Sequence, residues 1–267
     1  MIKSPTLTKH AMVSYSGGMD STCLILHLLS QGYGVRAVSF DYGQNHAVEI
    51  KKAKNTIKYL KKLGLPVEFE VINLRDAFSD DNSTLVQHKE APAGDYRDES
   101  MKATVVNNRN VIFSAVLFGK ALSWAQKTGL DTTIALGVHA GDHTIYPDCT
   151  EESTSMAREL YRISNWDSEK VNYLTPFVDL PKADVLHEGL EAMKAMQFRK
   201  HQVRKLLKGT ISCYNATEDG VSCGQCGTCR ERIAAFHLNQ MGDPAPYKDP
   251  DAGKYFPPME TVVDPTE

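Results

Sequence analysis

Between residues 10 and 72 the chain switches repeatedly between two hydrophobic periods. His10–Tyr15 is a short apolar run that leads into the pair Gly17-Gly18. Asp20–Ser30 then carries Leu24, Leu26, Leu28 and Leu29, a spacing that predicts a helix. Val35–Phe40 predicts a second strand, closed by the polar turn Asp41–Asn45. A lysine-rich helix is expected over residues 46–63, with Lys51, Lys52, Lys54, Lys58, Lys61 and Lys62 as its wet face. Gly64 and Pro66 stop it. Val67–Ile72 predicts a third strand. Such alternation implies an α/β fold: a Rossmann-like parallel sheet flanked by helices.

Residues 76–106 are polar and aperiodic, and a stretch of that length inside a compact unit is expected to be functional or mobile. A helix is predicted over Asn107–Thr128, from Val111, Ala115, Phe118 and Leu122. A strand follows over Thr132–Val138, with its carboxyl end opening into the polar segment His139–Cys149. Ligands of doubly wound sheets sit at such carboxyl ends. Further helices are expected at Thr150–Asn165, Lys182–Ala195 and His201–Leu207. A cysteine-rich loop then precedes a short helix near Arg230–Leu238 and a proline-rich tail. The pattern divides into an α/β domain over residues 1–200, with a mobile loop at about 76–106, and a C-terminal helical extension over 201–267 packed on the same unit.

Composition narrows the class. The chain has 267 residues, 42% hydrophobic and 24% charged, as in an ordinary globular protein. A net charge of -3 gives no footprint for bulk nucleic-acid binding. No apolar run reaches the roughly 18 residues that a membrane span needs, and the N-terminus lacks a signal-peptide pattern. The cytoplasm is therefore expected, where clustered cysteines serve as metal ligands rather than disulfides.

The first candidate site is Tyr15-Ser16-Gly17-Gly18-Met19-Asp20-Ser21-Thr22, between a predicted strand and a predicted helix. Two glycines let backbone N–H groups converge, and the helix N-terminus behind them favours an anion. Ser16 and Ser21 add hydroxyls, and Asp20 is suited to capping the helix or holding magnesium. This is not a Walker loop, because no Gly-Lys-Ser/Thr follows. The S-G-G-x-D-S pattern resembles the PP-loop, whose enzymes generally split ATP into AMP and pyrophosphate. The resemblance implies ATP as cofactor, with Mg2+.

The second is Cys213, Cys223, Cys226 and Cys229, at the spacing C-x9-C-x2-C-x2-C. Four thiolates fill a tetrahedral shell, so one structural Zn2+ is expected, with an iron–sulfur cluster as the rival. Gly224 and Gly227 are expected to supply the permissive backbone. Cys23, on an apolar helix face, reads as core packing, and Cys149 as a bystander in its loop.

Together the PP-loop, S-C-Y around Cys213 and S-C-G-Q-C-G-T-C-R-E-R after it resemble the 7-cyano-7-deazaguanine (preQ0) synthase family. Asp41-Tyr42-Gly43-Gln44 with His46 looks like that family's D-Y-G-Q-x-H segment. Arg109-Asn110 sits where the family has an R-N pair, and Tyr146-Pro147-Asp148-Cys149 matches its Y-P-D-C. Thr175-Pro176-Phe177 and Lys182 match a later stretch. The sequence departs from the family at Val105–Asn108 and at Thr150–Ser153. The resemblance implies an ATP-dependent enzyme joining ammonia to a deazapurine carboxylate and carrying the amide on to a nitrile. It further implies Ser16, Asp20, Ser21 and Arg109 as catalytic, and Gln44, His46, His139, Asp142, His143, Tyr146 and Asp148 as substrate-binding. A helix-cap role for Asp148 stays open, as does a homodimer. The alternatives are a PP-loop enzyme that modifies tRNA, one that attaches a related deazapurine to a macromolecule, and a non-catalytic zinc-ribbon module.

Overall fold

The computed structural model describes residues 2, 9–44, 47–87, 89–92 and 99–254. Five strands form one parallel sheet: β1 (Lys9–Ser14), β2 (Tyr33–Asp41), β3 (Val67–Asn73), β4 (Thr132–Ala135) and β5 (Val171–Leu174), in the order β3-β2-β1-β4-β5. The seven helices among the described residues are α1 (Met19–Ser30), α2 (Ala47–Lys62), α3 (Arg109–Thr128), α4 (Glu151–Ser164), α5 (Lys182–Ala195), α6 (Lys200–Gly209) and α7 (Gly227–Leu238). None is long and apolar enough to cross a membrane.

The central strand is apolar on both faces, as a sheet covered on both sides requires. Ala11 and Val13 of β1 enter the cluster formed with α1, α2, α5, α6 and α7. Met12 faces the opposite cluster, built on α3, α4 and the segment Phe78–Val106. Leu206, Leu207, Ala235 and Phe236 share the first cluster with Leu24 and Leu28, so α6 and α7 close over the same core as α1. Cys23 is fully buried there, as its helix position predicts.

β1 pairs with β2 on one side and β4 on the other, Ala11 lying opposite both Val35 and Thr133. The chain moves outward from β1 to β3 over one face and returns to β4 through α3 on the other. Reversal between β1 and β4 leaves a crevice at their carboxyl ends.

Three elements differ from the expectations. The edge strand β5 carries no strand signal, because only Val171 and Tyr173 of its four residues are buried. β4 ends at Ala135 rather than Val138: Leu136 N still donates to Leu174 O, but the chain then leaves the sheet at Gly137. α7 starts at Gly227, three residues before the expected Arg230, so Cys229 lies in its first turn. Of the two glycines expected to supply permissive backbone, Gly227 is helical and Gly224 takes a positive φ, +77°.

In the segment 76–106, short 3-10 turns at Arg75–Phe78 and Glu99–Thr104 bring Phe78, Leu85, Met101 and Val106 into the second cluster. The described residues of this segment are irregular backbone pinned by scattered apolar anchors.

Candidate active site

The crevice at the carboxyl edge is a single cavity bounded by the end of β1, the first turns of α1, α2 and α3, the loop after β4 and residues 211–214. Its floor is the loop between β1 and α1. Gly17 has φ +83°, and a Cβ there would lie 3.1 Å from Ala53 and from Glu49 O, so glycine is required twice over. Gly18 N donates to Ser16 Oγ at 3.1 Å, and Ser16 Oγ lies 3.1 Å from Ser21 Oγ. Gly18 caps α1 with no side-chain hydrogen bond, leaving first-turn N–H groups for an anion. Residues remote in sequence hold the loop in place: Ile211 N donates to Gly17 O at 3.1 Å, and Met19 N to Ser212 Oγ at 3.5 Å.

Not every side chain of the loop faces the cavity. Met19 is fully buried in the core. Thr22 Oγ1 donates to Gly18 O at 2.7 Å and lies 3.3 Å from Tyr15 OH. Burial pushes the Tyr15 phenol up to about 12. Neither Met19 nor Thr22 lines the cavity. Ser16, Gly18, Asp20 and Ser21 line the cavity.

A charged cluster stands beside α1. Asp20 Oδ2 is 3.5 Å from Lys182 Nζ and 4.0 Å from His139 Nε2, and His139 Nε2 is 3.6 Å from Asp142 Oδ2. Lys182 also pairs with Glu231 of α7 at 2.7 Å. Burial opposes ionisation of Asp20, but Lys182 and then His139 outweigh it and hold the carboxyl below the usual carboxylate range. Burial works against the Lys182 cation as well; Asp20 and Glu231 overcome it and keep the ammonium charged. His139 Nδ1 accepts from Gly141 N at 3.0 Å, which turns Nε2 toward the two carboxylates. Asp20 Oδ1 is buried and has no hydrogen-bond partner among the described residues. A buried orphan carboxylate oxygen beside an anion cradle suits a divalent cation.

Across the cavity, Arg109 opens α3 behind Asn108, whose φ of +54° starts the helix two residues later than expected. Its guanidinium lies over the rings of Tyr42 and Tyr146, at 5.9 Å and 5.8 Å, and Nη1 donates to Tyr42 OH at 3.5 Å. Tyr146 OH lies 2.8 Å from Tyr214 OH and 2.7 Å from Thr104 Oγ1. Glu49 faces the same cavity from the first turn of α2, and burial pushes its carboxyl up to about 7 against the pull of Arg109.

Gln44, His139, Asp142 and Tyr146 line the cavity as expected; Asp148 and His143 do not. Asp148 Oδ2 accepts from Asn110 N at 2.9 Å and so caps α3. His143 Nε2 is buried with no hydrogen-bond partner among the described residues. Gln44 spends its amide on the turn, accepting from Tyr42 N at 3.0 Å and donating to Phe40 O at 3.2 Å. His46 lies outside the described residues. Cys149 takes a hydrogen bond from Asn110 Nδ2 at 3.2 Å, and burial with Asp142 and Asp148 nearby keeps it a thiol. The residues missed from sequence are Glu49, Ser212, Tyr214 and Glu231, from three separate segments: the last three stand inside the S-C-Y and S-C-G-Q-C-G-T-C-R-E-R stretches, where only the cysteines had an expected role, and Glu49 has no motif around it. Lys182 had a signal, its place after Thr175-Pro176-Phe177 at a helix start.

The four cysteines Cys213, Cys223, Cys226 and Cys229 bring their sulfurs within 4.8 Å of one another. Cys213 Sγ accepts from Cys223 N and Cys223 Sγ from Cys226 N, at 3.2 Å and 3.3 Å, contacts that favour thiolates. One tetrahedral ion of zinc's size fits this set. Just after it, the fully buried Arg232 grips Asp243 through Nε and Nη2, at 2.7 Å and 3.0 Å, and reaches Thr210 Oγ1 at 2.8 Å.

Residues 10–240 match the family model described as queuosine biosynthesis protein QueC. A 7-cyano-7-deazaguanine synthase of Pseudoalteromonas translucida is 36% identical over 242 residues, covering 91% of this chain and all of that one. Another, of Caldicellulosiruptor saccharolyticus, is 38% identical over 240 residues, 89% of this chain and 95% of that one. Among solved structures, a predicted subunit of a tRNA methyltransferase from Methanocaldococcus jannaschii is similar at a TM-score of 0.43 and 18% identity. That match covers 69% of this chain and 75% of the other, a likeness too loose to bear on chemistry.

Proposed function

The chain belongs to the family of the queuosine biosynthesis protein QueC, and from that premise we propose that it converts 7-carboxy-7-deazaguanine and ammonia to 7-cyano-7-deazaguanine at the expense of ATP, releasing AMP and pyrophosphate. The observation that carries this reading is one cavity in which an anion cradle, a carboxylate with an unused oxygen and a tyrosine-walled arginine face one another.

A carboxylate does not react with ammonia, because oxide would have to leave. ATP supplies the adenylyl group that makes first the carboxylate oxygen, then the amide oxygen, a leaving group. The backbone N–H groups at Gly18 and the start of α1, with Ser16 and Ser21, bind the pyrophosphate end where negative charge accumulates. Asp20 Oδ1 would hold Mg2+ against it. Lys182 balances the charge near Asp20, and Arg109, fixed between Tyr42 and Tyr146, offers a two-pronged donor to an anionic group on the opposite wall. Tyr146, His139 and Asp142 border the remaining space, where a flat heterocycle would stack and hydrogen-bond. The four cysteines would hold a zinc ion in a structural role, since four thiolates leave no open position for substrate.

The test is mass spectrometry of purified protein incubated with 7-carboxy-7-deazaguanine, ammonium and Mg-ATP. The nitrile with AMP and pyrophosphate is expected. ADP and phosphate, or an unmodified carboxylate, would overturn the proposal.

A further inference from the structure

The carboxyl groups that line the cavity belong to Asp20, Glu49 and Asp142. Asp20 lies against Lys182 and His139, and Asp142 against His139. Asp142 Oδ2 also accepts from His139 N at 3.3 Å. Glu49 is not engaged in this way. Among the described residues its carboxyl has no ion pair and no hydrogen bond, and it faces the cavity from the first turn of α2. A first-turn carboxylate that only served its helix would be drawn to the N-terminal N–H groups and held ionised. Burial instead works against the Glu49 charge, and Arg109 offsets that only in part.

Glu49 also stands between the two ends of the cavity that the reaction uses. Its backbone carbonyl lies against the phosphate loop, 3.1 Å from the place of a Cβ on Gly17. Its carboxyl acts on Arg109 and on the phenol of Tyr42, which Arg109 Nη1 reaches at 3.5 Å. Those two are the titratable groups set toward it from α3 and from the end of β2. No charged group of α1, α7 or residues 211–214 bears on it among the described residues. Lys52, one turn further along α2, is turned toward Lys208 and Arg232. The carboxyl thus borders the gap between a triphosphate in the cradle and an acid held at Arg109, where the adenylyl group changes hands.

We infer that Glu49 is the general base that takes protons from nitrogen as the amide and then the nitrile form, an inference that rests on the reaction proposed above. In the first half, the lone pair of ammonia makes the new C–N bond. The C–O bond to the adenylyl group breaks with its electron pair going to AMP, and one N–H proton passes to the Glu49 carboxylate. Neutral amide, AMP and a carboxylic acid result. In the second half the adenylated amide, as its neutral imidate, gives its last N–H proton to the same carboxylate. The N–H pair becomes the third C–N bond, and AMP again leaves with the C–O pair. A base used twice must unload between uses. A carboxyl at about 7 gives its proton back to water at neutral pH, and the other two cavity carboxyls are taken up by cations.

Kinetics of the full chain with 7-carboxy-7-deazaguanine, ammonium and Mg-ATP across neutral pH test this, with rates expressed per free ammonia. The parent rate should rise with pH through a limb near 7, as the base loses its proton. Glu49→Gln should lower amide formation about 100-fold and lose that limb. Its single-turnover burst of pyrophosphate without ammonium, which reports adenylation alone, should match the parent. Glu49→Asp should regain at least about 10-fold of the rate, with the limb restored. A Glu49→Gln enzyme that keeps the limb overturns the assignment. So does one that loses the pyrophosphate burst as fully as amide formation, since Glu49 would then serve the cradle only. A parent chain with no burst overturns the reaction itself, and the role of Glu49 with it.

Discussion

Lys182 and Glu231 form a 2.7 Å ion pair between the first turn of α5 and the first turns of α7, and through it the cysteine module reaches Asp20 at the start of α1. Lys182 is 5% exposed and reaches Asp20 with the same ammonium, so Glu231 holds that ammonium where Asp20 needs it. Glu231→Gln keeps the shape and removes the charge. It is expected to lower kcat/KM about 10-fold with metal content unchanged. Steady-state kinetics paired with elemental analysis decides the matter; unchanged kinetics would leave Glu231 without a role at the site.

Gly17 is the least replaceable residue of the loop. Gly17→Ala puts a Cβ at φ +83°, 3.1 Å from the α2 backbone, for a cost of about 1–2 kcal/mol from the left-handed conformation alone. Nucleotide affinity by calorimetry should fall at least about 10-fold, because α2 must retreat from the cradle. Tight Mg-ATP binding by this variant would show that the loop is not where the phosphates sit.

Metal loss should reach the cradle as well. Ile211 and Ser212, which hold Gly17 and Met19, are followed at once by Cys213. Cys226→Ser is expected to abolish stoichiometric zinc and to lower stability by several kcal/mol. Mg-ATP affinity should drop in parallel. A metal-free variant that binds nucleotide like the parent would uncouple the two.

Glu49 makes stability pH-dependent. Its carboxyl rises from 4.5 to about 7 on folding, chiefly through burial. Between those values the folded chain keeps a proton that the unfolded chain has released, so stability falls as pH rises through the window, and above about pH 7 the whole cost is present. By bare conversion the cost is about 3 kcal/mol, less with the residue partly open to solvent. Glu49→Gln should therefore be more stable than the parent at pH 8 and nearly equal to it at pH 4. Denaturant melts at the two pH values test this, and no gain at pH 8 would remove Glu49 from its buried setting.

Much of this architecture could be read from the chain. α1 and α5 are long and periodic, and their limits were expected almost to the residue. The clustering of the four cysteines was legible because their spacing is a local property, and so was the S-G-G-x-D-S loop between a strand and a helix. β5 was not, since four residues with two inward side chains leave no period to detect. Asp148 shows a different limit: its sequence suits both a ligand and a cap, and only its 2.9 Å contact with Asn110 N separates them. The aromatic walls around Arg109 come from Tyr42, Tyr146 and Tyr214, three segments whose meeting depends on the sheet order and not on any local pattern.

The loop at residues 15–22 finds its second wall at residues 211–214, with one contact spanning 193 positions of chain. During synthesis the first strand and helix emerge early, but the cradle stays open on one side until nearly the whole polypeptide has been made. A nascent or C-terminally clipped chain thus holds the motif without the second wall of its pocket.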